Sequence, residues 1–310
     1  MTGAIDRFEG ALLGLACGDA VGTTVEFQPR GSFVPLTDMV GGGPFSLKAG
    51  QWTDDTSMAL CLAESLVTKG DCDPRDQMAR YANWYQWGYW SSTGHCFDIG
   101  MATRAAIQRF LQNGNALAGS VDPQEAGNGS LMRLAPVALM YGGDEQQVQE
   151  MAALSSRTTH AATECLDACR LFAVALSRAL QGASKDEVLD LAHLQITSPS
   201  IADIARGDWR HKSREQISGS GYVVRSLEAA LWCFAQSDSF ETAVLAAANL
   251  GDDADTTAAI TGQIAGAFWG RQGIPAPWLE MLHQEGDIRV LAQALYEMNR
   301  NVRRLSMGEG

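Results

Sequence analysis

Basic residues are scarce in this chain of 310 residues, which has 23 Lys and Arg against 36 Asp and Glu and a formal net charge of −13. This excess of negative charge repels phosphate backbones, and no stripe of Lys and Arg relieves it, so no nucleic-acid partner is expected. The hydrophobic content of 46% is enough for a large core. A disordered or fibrous protein is therefore excluded.

Long apolar segments and leader signals are also missing. The uncharged apolar run at 258–270 contains Gln263 and falls short of the roughly 20 residues that a membrane span needs. The first residues, MTGAIDRFEG, carry acids and lack a basic region followed by an apolar stretch, so no signal peptide is predicted. We therefore expect no membrane span and a cytoplasmic location.

The seven cysteines include no C-x-x-C pair, and several lie within apolar helical patterns. Buried free thiols in a reducing compartment are the favoured interpretation. Cys165 and Cys169 are four residues apart, but no further Cys or His at zinc spacing surrounds them, so a zinc site is not predicted there.

Alternating strand patterns are almost absent, and helical periodicity covers most of the chain. In 6–22, Gly10, Gly14 and Gly18 recur at every fourth position, where another helix can approach closely. Asp73 and Pro74 are typical of a helix start. Further helices are predicted at 75–87, 99–114, 128–141, 144–155, 161–180, 184–194, 222–235, 240–248, 256–269 and 287–302.

Short polar loops connect these helices, and no linker rich in Pro, Gly or Ser divides the chain. The expected architecture is therefore all-α, with a single domain over 1–310. One segment, 197–221, is too polar for the core and long for a connection, so we expect it to be irregular and to form a lid or a wall of a site.

Two short acidic motifs stand directly before apolar runs, about two hundred residues apart. The first is TDDT at 53–56, and the second is DDADTT at 252–257. Each motif alone is typical of an ordinary helix start, because threonine caps an N-terminus and acidic side chains suit the helix dipole. The repetition of the motif, and the small residues that follow at 258–266, favour a shared site instead.

Together the motifs offer carboxylate and hydroxyl oxygens, which are the ligands of hard divalent cations such as Mg²⁺ or Mn²⁺. Four gathered carboxylates would raise one another's pKa, whereas two divalent cations balance them charge for charge. A two-metal site is therefore predicted. Its candidate ligands are Thr53, Asp54, Asp55, Asp253, Asp255 and Thr256.

Five segments resemble, in order, signature blocks of the ADP-ribosylglycohydrolase family: GALLGLACGDAVGTTVEF, QWTDDTSMAL, AGNGSLMRLAPVAL, GYVVRSLEAALWCF and NLGDDADTTAAITGQIAGA. They cover nearly the whole chain. The resemblance implies an orthogonal helical bundle with a binuclear Mg²⁺ or Mn²⁺ site at the bottom of an ADP-ribose cleft, and it assigns the same six ligands. Gly251-Asp252-Asp253 stands where the family usually has Gly-Gly-Asp, and the role of the added Asp252 carboxylate is left open.

The resemblance also implies hydrolysis of the bond between ribose C1″ and a protein side chain or another small group, so acids near the cations, including Asp55, are catalytic candidates. Asp98, in HCFDIG, resembles an acid of the arginine-specific branch, that of the dinitrogenase reductase activating glycohydrolases. It would pair with the guanidinium leaving group or protonate the opening ribose. Met101 stands where that branch is expected to have Asn. Glu26 matches a family glutamate that acts as a base or gate at the cleft entrance.

Both acids have a simpler alternative, since Asp98 is also suited to cap the following helix and Glu26 to face the surface.

Three segments are candidates for binding the substrate. Gly127, Asn128 and Gly129 precede an apolar run, and backbone N–H groups at a helix start suit a diphosphate, with a plain helix cap as the alternative. His160 matches a family histidine that borders the cleft. Tyr222 is a candidate for stacking on adenine, with core packing as the alternative.

The expected function is that of a metal-dependent hydrolase that releases ADP-ribose from modified arginine, with an ADP-ribosylated protein or another ADP-ribose conjugate as its partner. One alternative is an ADP-ribosylserine or O-acetyl-ADP-ribose hydrolase of the same family. The other is a catalytically silent ADP-ribose-binding or structural member, which the presence of all six ligands disfavours. The sequence leaves open the target protein, the choice of Mg²⁺ or Mn²⁺, and the oligomeric state.

Overall fold

The computed structural model describes the backbone of residues 3–306. Within that range it contains fourteen α-helices, several short 3-10 turns and no strand beyond isolated bridges, which confirms the all-α prediction. In chain order the helices are α1 Ala4–Gly22, α2 Asp54–Lys69, α3 Pro74–Trp87, α4 Met101–Asn113, α5 Ala135–Tyr141, α6 Glu145–Ser156, α7 Thr163–Leu180, α8 Lys185–Leu189, α9 Pro199–Arg206, α10 Val223–Gln236, α11 Phe240–Ala248, α12 Ala254–Trp269, α13 Ala276–Met281 and α14 Glu285–Ser306.

Local start and stop signals fix several of these bounds. The Asp73 side chain caps α3 by accepting from the N–H groups of Arg75 and Asp76, and Pro74 occupies the first helical position. Gly114 ends α4 in the left-handed conformation, which glycine adopts without steric cost. Both signals act as predicted from the sequence.

The helix predicted at 128–141 is helical only over α5, and the residues before it form turns. Pro136 has no N–H to bond the carbonyl of Met132, so a longer helix would lose that bond and clash at the proline ring. The side chain of Gln263 in α12 instead donates to the carbonyl oxygens of Leu131 (3.2 Å) and Met132 (2.7 Å). The turn is thereby fastened to α12.

Two other predictions were wrong in extent. The helix predicted at 184–194 ends with α8, and Arg178 donates to the carbonyl oxygens of Glu187 and Asp190 at that end. The segment 197–221 is not wholly irregular, since it contains α9, which Ser198 caps and Pro199 opens. The short helix α13 was not predicted.

The glycine spacing of α1 forms the closest helix contact of the fold, against α12. A Cβ atom added at Gly18 would lie 2.1 Å from the carbonyl oxygen of Ala258, and one at Gly14 would lie 2.3 Å from that of Gly262. Gly10 and Gly22 extend the same backbone contact. The close approach predicted from the sequence is therefore confirmed, and both helices are buried along most of their length.

Around this pair pack α7, α10, α11 and α14, with α2 and α5 beside α14. All seven cysteines are free, and only Cys96 is half-exposed. Among the described helices, none combines the length and the apolar character that crossing a bilayer requires.

Replacing Gly18 with Ala is expected to destabilise the fold, because the added methyl group meets backbone rather than a side chain that can move. Overpacking of this kind costs about 3 kcal/mol, or roughly 5 °C in the thermal unfolding midpoint for a chain of this size. The matched control is Gly286→Ala in α14, where an added Cβ has nothing within 4 Å. Equal midpoints for the two variants in differential scanning calorimetry would contradict the backbone contact.

Candidate functional site

The two acidic motifs begin helices but do not cap them. Thr53 occupies the N-cap position of α2 and Asp253 that of α12, and neither side chain makes a capping hydrogen bond. The capping interpretation of these motifs is therefore wrong. Their oxygen atoms point into the molecule, where the two helix N-termini meet.

At this meeting point the two motifs are in direct contact. The Thr53 hydroxyl oxygen lies 3.2 Å from Asp55 Oδ2 and 3.2 Å from Asp255 Oδ2, and Thr256 Oγ1 lies 3.4 Å from Asp55 Oδ2. Asp54 and Asp253 line the adjoining cavity. The structure thus brings together the six residues predicted as metal ligands.

Glu26 and Asp98 join the same cluster, since carboxylate oxygens of Glu26, Asp98 and Asp255 all lie within 4.8 Å of one another. Glu26 is only 4% exposed, so the surface-facing alternative is wrong. Gly100, not Asp98, is the N-cap residue of α4, so the capping alternative for Asp98 is also wrong. Asp98 adopts a left-handed backbone conformation with φ of 60°.

Asp19 of α1 is a buried member of the cluster that sequence reasoning missed. Its Oδ1 atom accepts from the N–H and the hydroxyl of Thr53, both at 2.9 Å. Its Oδ2 atom accepts from the N–H (3.0 Å) and the hydroxyl (2.6 Å) of Thr56. The available signal was one acid within the otherwise uncharged run 10–22, since a buried carboxylate needs partners.

The chemistry of the donor set fits divalent cations. Asp55 Oδ1 and Glu26 Oε2 are buried without a hydrogen-bond partner. No Lys or Arg among the described residues pairs with any acid of the cluster. Mg²⁺, Mn²⁺ or Ca²⁺ would coordinate these oxygen atoms and balance their negative charge.

Burial also disfavours the charged forms of these carboxylates. It raises the pKa of Asp19 to about 6 and that of Asp98 to about 7. Burial, reinforced by the charge of Asp98, raises the pKa of Glu26 to about 10. The pKa of Asp55 is likewise raised by burial and by the neighbouring acids, first among them Asp19. Without cations, the cluster therefore holds protons at neutral pH.

A cavity of about 1040 Å³ opens onto this cluster. Part of its wall consists of Glu26, Asp54, Asp98 and Asp253, and Ser220 at the end of the segment 197–221 also contributes. The lining includes all the residues predicted to bind the substrate: Gly127, Asn128, Gly129, His160 and Tyr222.

The segment 127–129 lines the cavity in a different way from the one predicted. It does not begin a helix, and the N–H groups of Gly127 and Asn128 already donate to the carbonyl oxygens of Glu125 (2.8 Å) and Gly221 (3.1 Å). The Asn128 side chain donates to Asp253 Oδ2 at 2.7 Å. The expected helix start, and with it the helix-cap alternative, is therefore wrong at these residues, and the Asn128 side chain instead contacts an acid of the cluster.

His160 lies beneath this glycine segment and is 3% exposed. Its Nδ1 atom is 2.8 Å from the Thr159 hydroxyl, and burial, helped by the charge of Arg133, lowers its pKa to about 3. A Cβ atom on Gly129 would lie 2.7 Å from the His160 ring. A neutral imidazole is thus packed closely against the cavity wall.

Tyr222 is 39% exposed, so the core-packing alternative is wrong. Its hydroxyl donates to Glu164 Oε1 at 2.7 Å. This bond holds the ring at the edge of the cavity.

Asp252 has a backbone φ of 56°, a region that glycine adopts freely and Asp tolerates better than most residues. This conformation explains why a glycine suits the position in the family pattern. The Asp252 N–H donates to the Gln28 carbonyl (2.8 Å), and its carbonyl accepts from the Phe27 N–H (2.7 Å). Asp252 therefore joins the segment that bears Glu26 to the start of α12, and its side chain lines the cavity.

The chain is similar to known proteins over most of its length. The model of the ADP-ribosylglycohydrolase family matches residues 1–304. The chain is 49% identical to ADP-ribosylarginine hydrolase Tri1 of Pseudomonas putida (strain GB-1), over 95% of this chain and 79% of that protein. It is 43% identical to the protein of the same name from Serratia proteamaculans (strain 568), over 95% and 80% of the two chains. A solved structure described as an ADP-ribosylglycohydrolase-related protein complex superposes with a TM-score of 0.86 at 42% identity, covering 96% of this chain and 100% of its own.

Divalent cations are expected to stabilise the protein more at pH 8 than at pH 5.5. A carboxyl whose pKa is raised on folding stabilises the fold fully below its ordinary pKa, and this stability is lost as the pH rises through the folded value. For Asp19, Asp98 and Glu26 that loss extends from about pH 4 to the folded pKa values of about 6, 7 and 10. Cations replace the protons and restore the lost stability.

The measurement is the rise in unfolding midpoint on adding Mg²⁺ or Mn²⁺ to chelator-treated protein at each pH, with Na⁺ at equal ionic strength as the control. A rise of the same size at both pH values, or none at either, would count against a cation site at these acids.

Proposed function

The chain belongs to the ADP-ribosylglycohydrolase family, and on this premise we propose that it hydrolyses the bond between ADP-ribose and a modified arginine side chain. The observation that carries the proposal is the meeting of two acidic helix N-termini at the wall of a cavity of about 1040 Å³. Relatives that are 49% and 43% identical are named ADP-ribosylarginine hydrolases, which favours arginine over serine or an acetyl ester as the group released.

Two divalent cations, Mg²⁺ or Mn²⁺, are proposed as cofactors. Two groups of oxygens that share Asp255 support a pair of cations, one formed by Thr53, Asp55 and Asp255 and the other by Glu26, Asp98 and Asp255. The proposed ligands are Thr53, Asp54, Asp55, Asp253, Asp255 and Thr256. Bound cations of this kind supply Lewis acidity, orient ribose hydroxyls and lower the pKa of a water nucleophile.

Asp98 is proposed to move the proton that the reaction requires. The water oxygen bonds to ribose C1″ and the water loses one proton, while the bond from C1″ to the guanidine nitrogen breaks and that nitrogen gains one proton. Asp98 faces the cavity, and its raised pKa of about 7 suits a group that gives and takes a proton near neutral pH.

Glu26 and the other carboxylates are proposed to stabilise the positive charge that develops on the ribose ring as the bond breaks. Glu26 belongs to the same group of oxygens as Asp98 and lines the cavity. This position lets it separate the open cavity from the buried acids, so we assign it the role of a gate. Asp55 acts from the buried side, as a ligand whose charge supports the nucleophile.

The remaining cavity wall is proposed to hold the ADP-ribosyl group. Gly129 keeps an N–H without an acceptor among the described residues and is assigned to the diphosphate. His160, neutral and buried, offers a ring nitrogen as a polar contact. Tyr222, held by Glu164, offers its ring to adenine.

The partner, the cellular location and the domain organisation are also proposed. An ADP-ribosylated protein, or a smaller ADP-ribose conjugate, is the proposed partner. The free thiols support a reducing, cytoplasmic location. The central packing of α1 on α12, elements from opposite ends of the chain, supports a single domain over 1–310.

Comparison of linkages tests the proposed substrate. Protein loaded with Mg²⁺ or Mn²⁺ is incubated separately with ADP-ribosyl-arginine, ADP-ribosyl-serine and O-acetyl-ADP-ribose, and released ADP-ribose is measured by chromatography. The largest kcat/KM is expected for the arginine conjugate. Preference for serine or the acetyl ester would overturn the arginine assignment but not the hydrolase class, whereas binding of ADP-ribose with no turnover of any substrate would overturn both.

Asp55→Asn and Asp253→Asn are each expected to keep the helical circular dichroism of the parent, bind fewer than two cations by calorimetry and lose most turnover, because a neutral amide replaces a counter-charge. The matched control is Asp73→Asn, which removes a carboxylate from a true helix cap in α3. Asparagine also caps well, so this variant is expected to keep its activity and to change the unfolding free energy by less than about 1 kcal/mol. Full activity of either site variant in the presence of chelator would defeat the two-metal proposal.

A further inference from the structure

Asp19 makes a set of hydrogen bonds that occupies its whole carboxylate. A carboxylate offers about four lone-pair directions. Here four donors fill them, namely an N–H and a hydroxyl from Thr53 on Oδ1 and an N–H and a hydroxyl from Thr56 on Oδ2. Although Asp19 lies among oxygens that could share a cation, it has no free lone pair to offer one.

The Thr53 hydroxyl has more acceptors around it than it can serve. Its oxygen lies within 3.2 Å of three carboxylate oxygens, on Asp19 (2.9 Å), Asp55 (3.2 Å) and Asp255 (3.2 Å). A hydroxyl carries one hydrogen. The shortest contact, to Asp19, takes it, and the lone pairs of Thr53 then face the oxygens of Asp55 and Asp255. When Asp55 and Asp255 are ionised, such a meeting of lone pairs is repulsive unless a cation lies between them.

We infer that Asp19 is a positioning residue, which takes the hydrogen of the Thr53 hydroxyl and thereby turns that hydroxyl into a ligand. Asp19 itself stays outside the ligand set. Its two bonds to the backbone N–H groups of Thr53 and Thr56 also fix the first turn of α2 against α1. The inference rests on the proposed function, because it assigns Asp19 a role toward the proposed cations.

Among the described residues, no acid bonds both the N–H and the hydroxyl of Thr256 as Asp19 does for Thr53. The Thr256 hydroxyl lies 3.4 Å from Asp55 Oδ2 and also contacts the Asp253 carboxylate, and the Thr256 N–H donates to Asp255 within its own motif. The Thr53 hydroxyl therefore donates to an acid outside both motifs, whereas the acids beside the Thr256 hydroxyl belong to the motifs themselves. Thr53 and Thr256 therefore differ in what orients their hydroxyl groups.

A double-mutant cycle on Mn²⁺ affinity tests the inference without substrate, with Mn²⁺ binding followed by electron paramagnetic resonance. Asp19→Asn is expected to lower the affinity by about 100-fold, at the upper end of what partners of metal ligands contribute. Loss of negative charge alone would weaken binding in any background. The test is therefore Asp19→Asn in a Thr53→Val background. There the loss of Mn²⁺ affinity caused by Asp19→Asn is expected to be at least tenfold smaller.

Thr56 supplies the matched control, because its hydroxyl binds the other oxygen of Asp19 and does not touch Asp55 or Asp255. Thr56→Val is expected to change Mn²⁺ affinity by less than about threefold, and Asp19→Asn should keep its full effect in that background. Equal effects of Asp19→Asn with and without the Thr53 hydroxyl would overturn the inference and leave the proposed function intact. If the parent chain bound no Mn²⁺, the proposed metal site would fall as well.

A direct measurement covers the case in which Asp19→Asn does not fold. Neutron diffraction from deuterium-exchanged crystals of the parent chain places the Thr53 hydroxyl deuterium. We expect it on the line to Asp19 Oδ1. A deuterium directed at Asp55 or Asp255 would contradict the assignment.

Discussion

The backbone contact between α1 and α12 is the interaction on which the site depends. Asp19 follows Gly18 directly, and Gly22 lies against Ala254, at the start of the helix that carries Asp255 and Thr256. Side chains larger than hydrogen at these glycines would separate the two helices and with them the two sets of oxygens. Glycine within a helix costs about 1 kcal/mol relative to alanine. Four glycines along one face of α1 carry this cost. The close helix contact that they allow brings together the acids of α1 and α12.

The cluster also places function and stability in opposition. Buried acids repel one another and hold protons when no cation is present, so the residues proposed to act on the substrate weaken the fold that carries them. Backbone conformation shows a similar pattern, because Phe27, Asp98 and Asp252 are non-glycine residues with left-handed φ and all line the cavity. Residues in such conformations cost about 1–3 kcal/mol each and persist where neighbours fix them. Here the Phe27 N–H donates to the Asp252 carbonyl and the Asp252 N–H donates to the Gln28 carbonyl, which fixes both residues.

Most helices and the two acidic motifs could be predicted from the sequence, because periodicity, caps and repeated residue types are local signals. The actual role of the motifs was harder to see. A Thr-Asp pair before a helix can either cap the helix end or turn its oxygens inward, and its sequence is the same in both cases. Here contact with Asp19 of α1 turns the Thr53 side chain inward. Asp19 and the Asn128 side chain were missed in their true roles for the same reason, since their partners Thr53 and Asp253 are distant in the chain. The turn at 128–134 depends on Pro136 and on Gln263 of another helix.

The central claim is that α1, α2 and α12 together build one oxygen site for a pair of cations. Anomalous diffraction at the manganese absorption edge, from crystals soaked in Mn²⁺, tests it most directly. The account predicts two peaks where the N-termini of α2 and α12 meet, beside the oxygens of Thr53, Asp55 and Asp255. Peaks confined to the protein surface, or no peak beside Asp255, would contradict it.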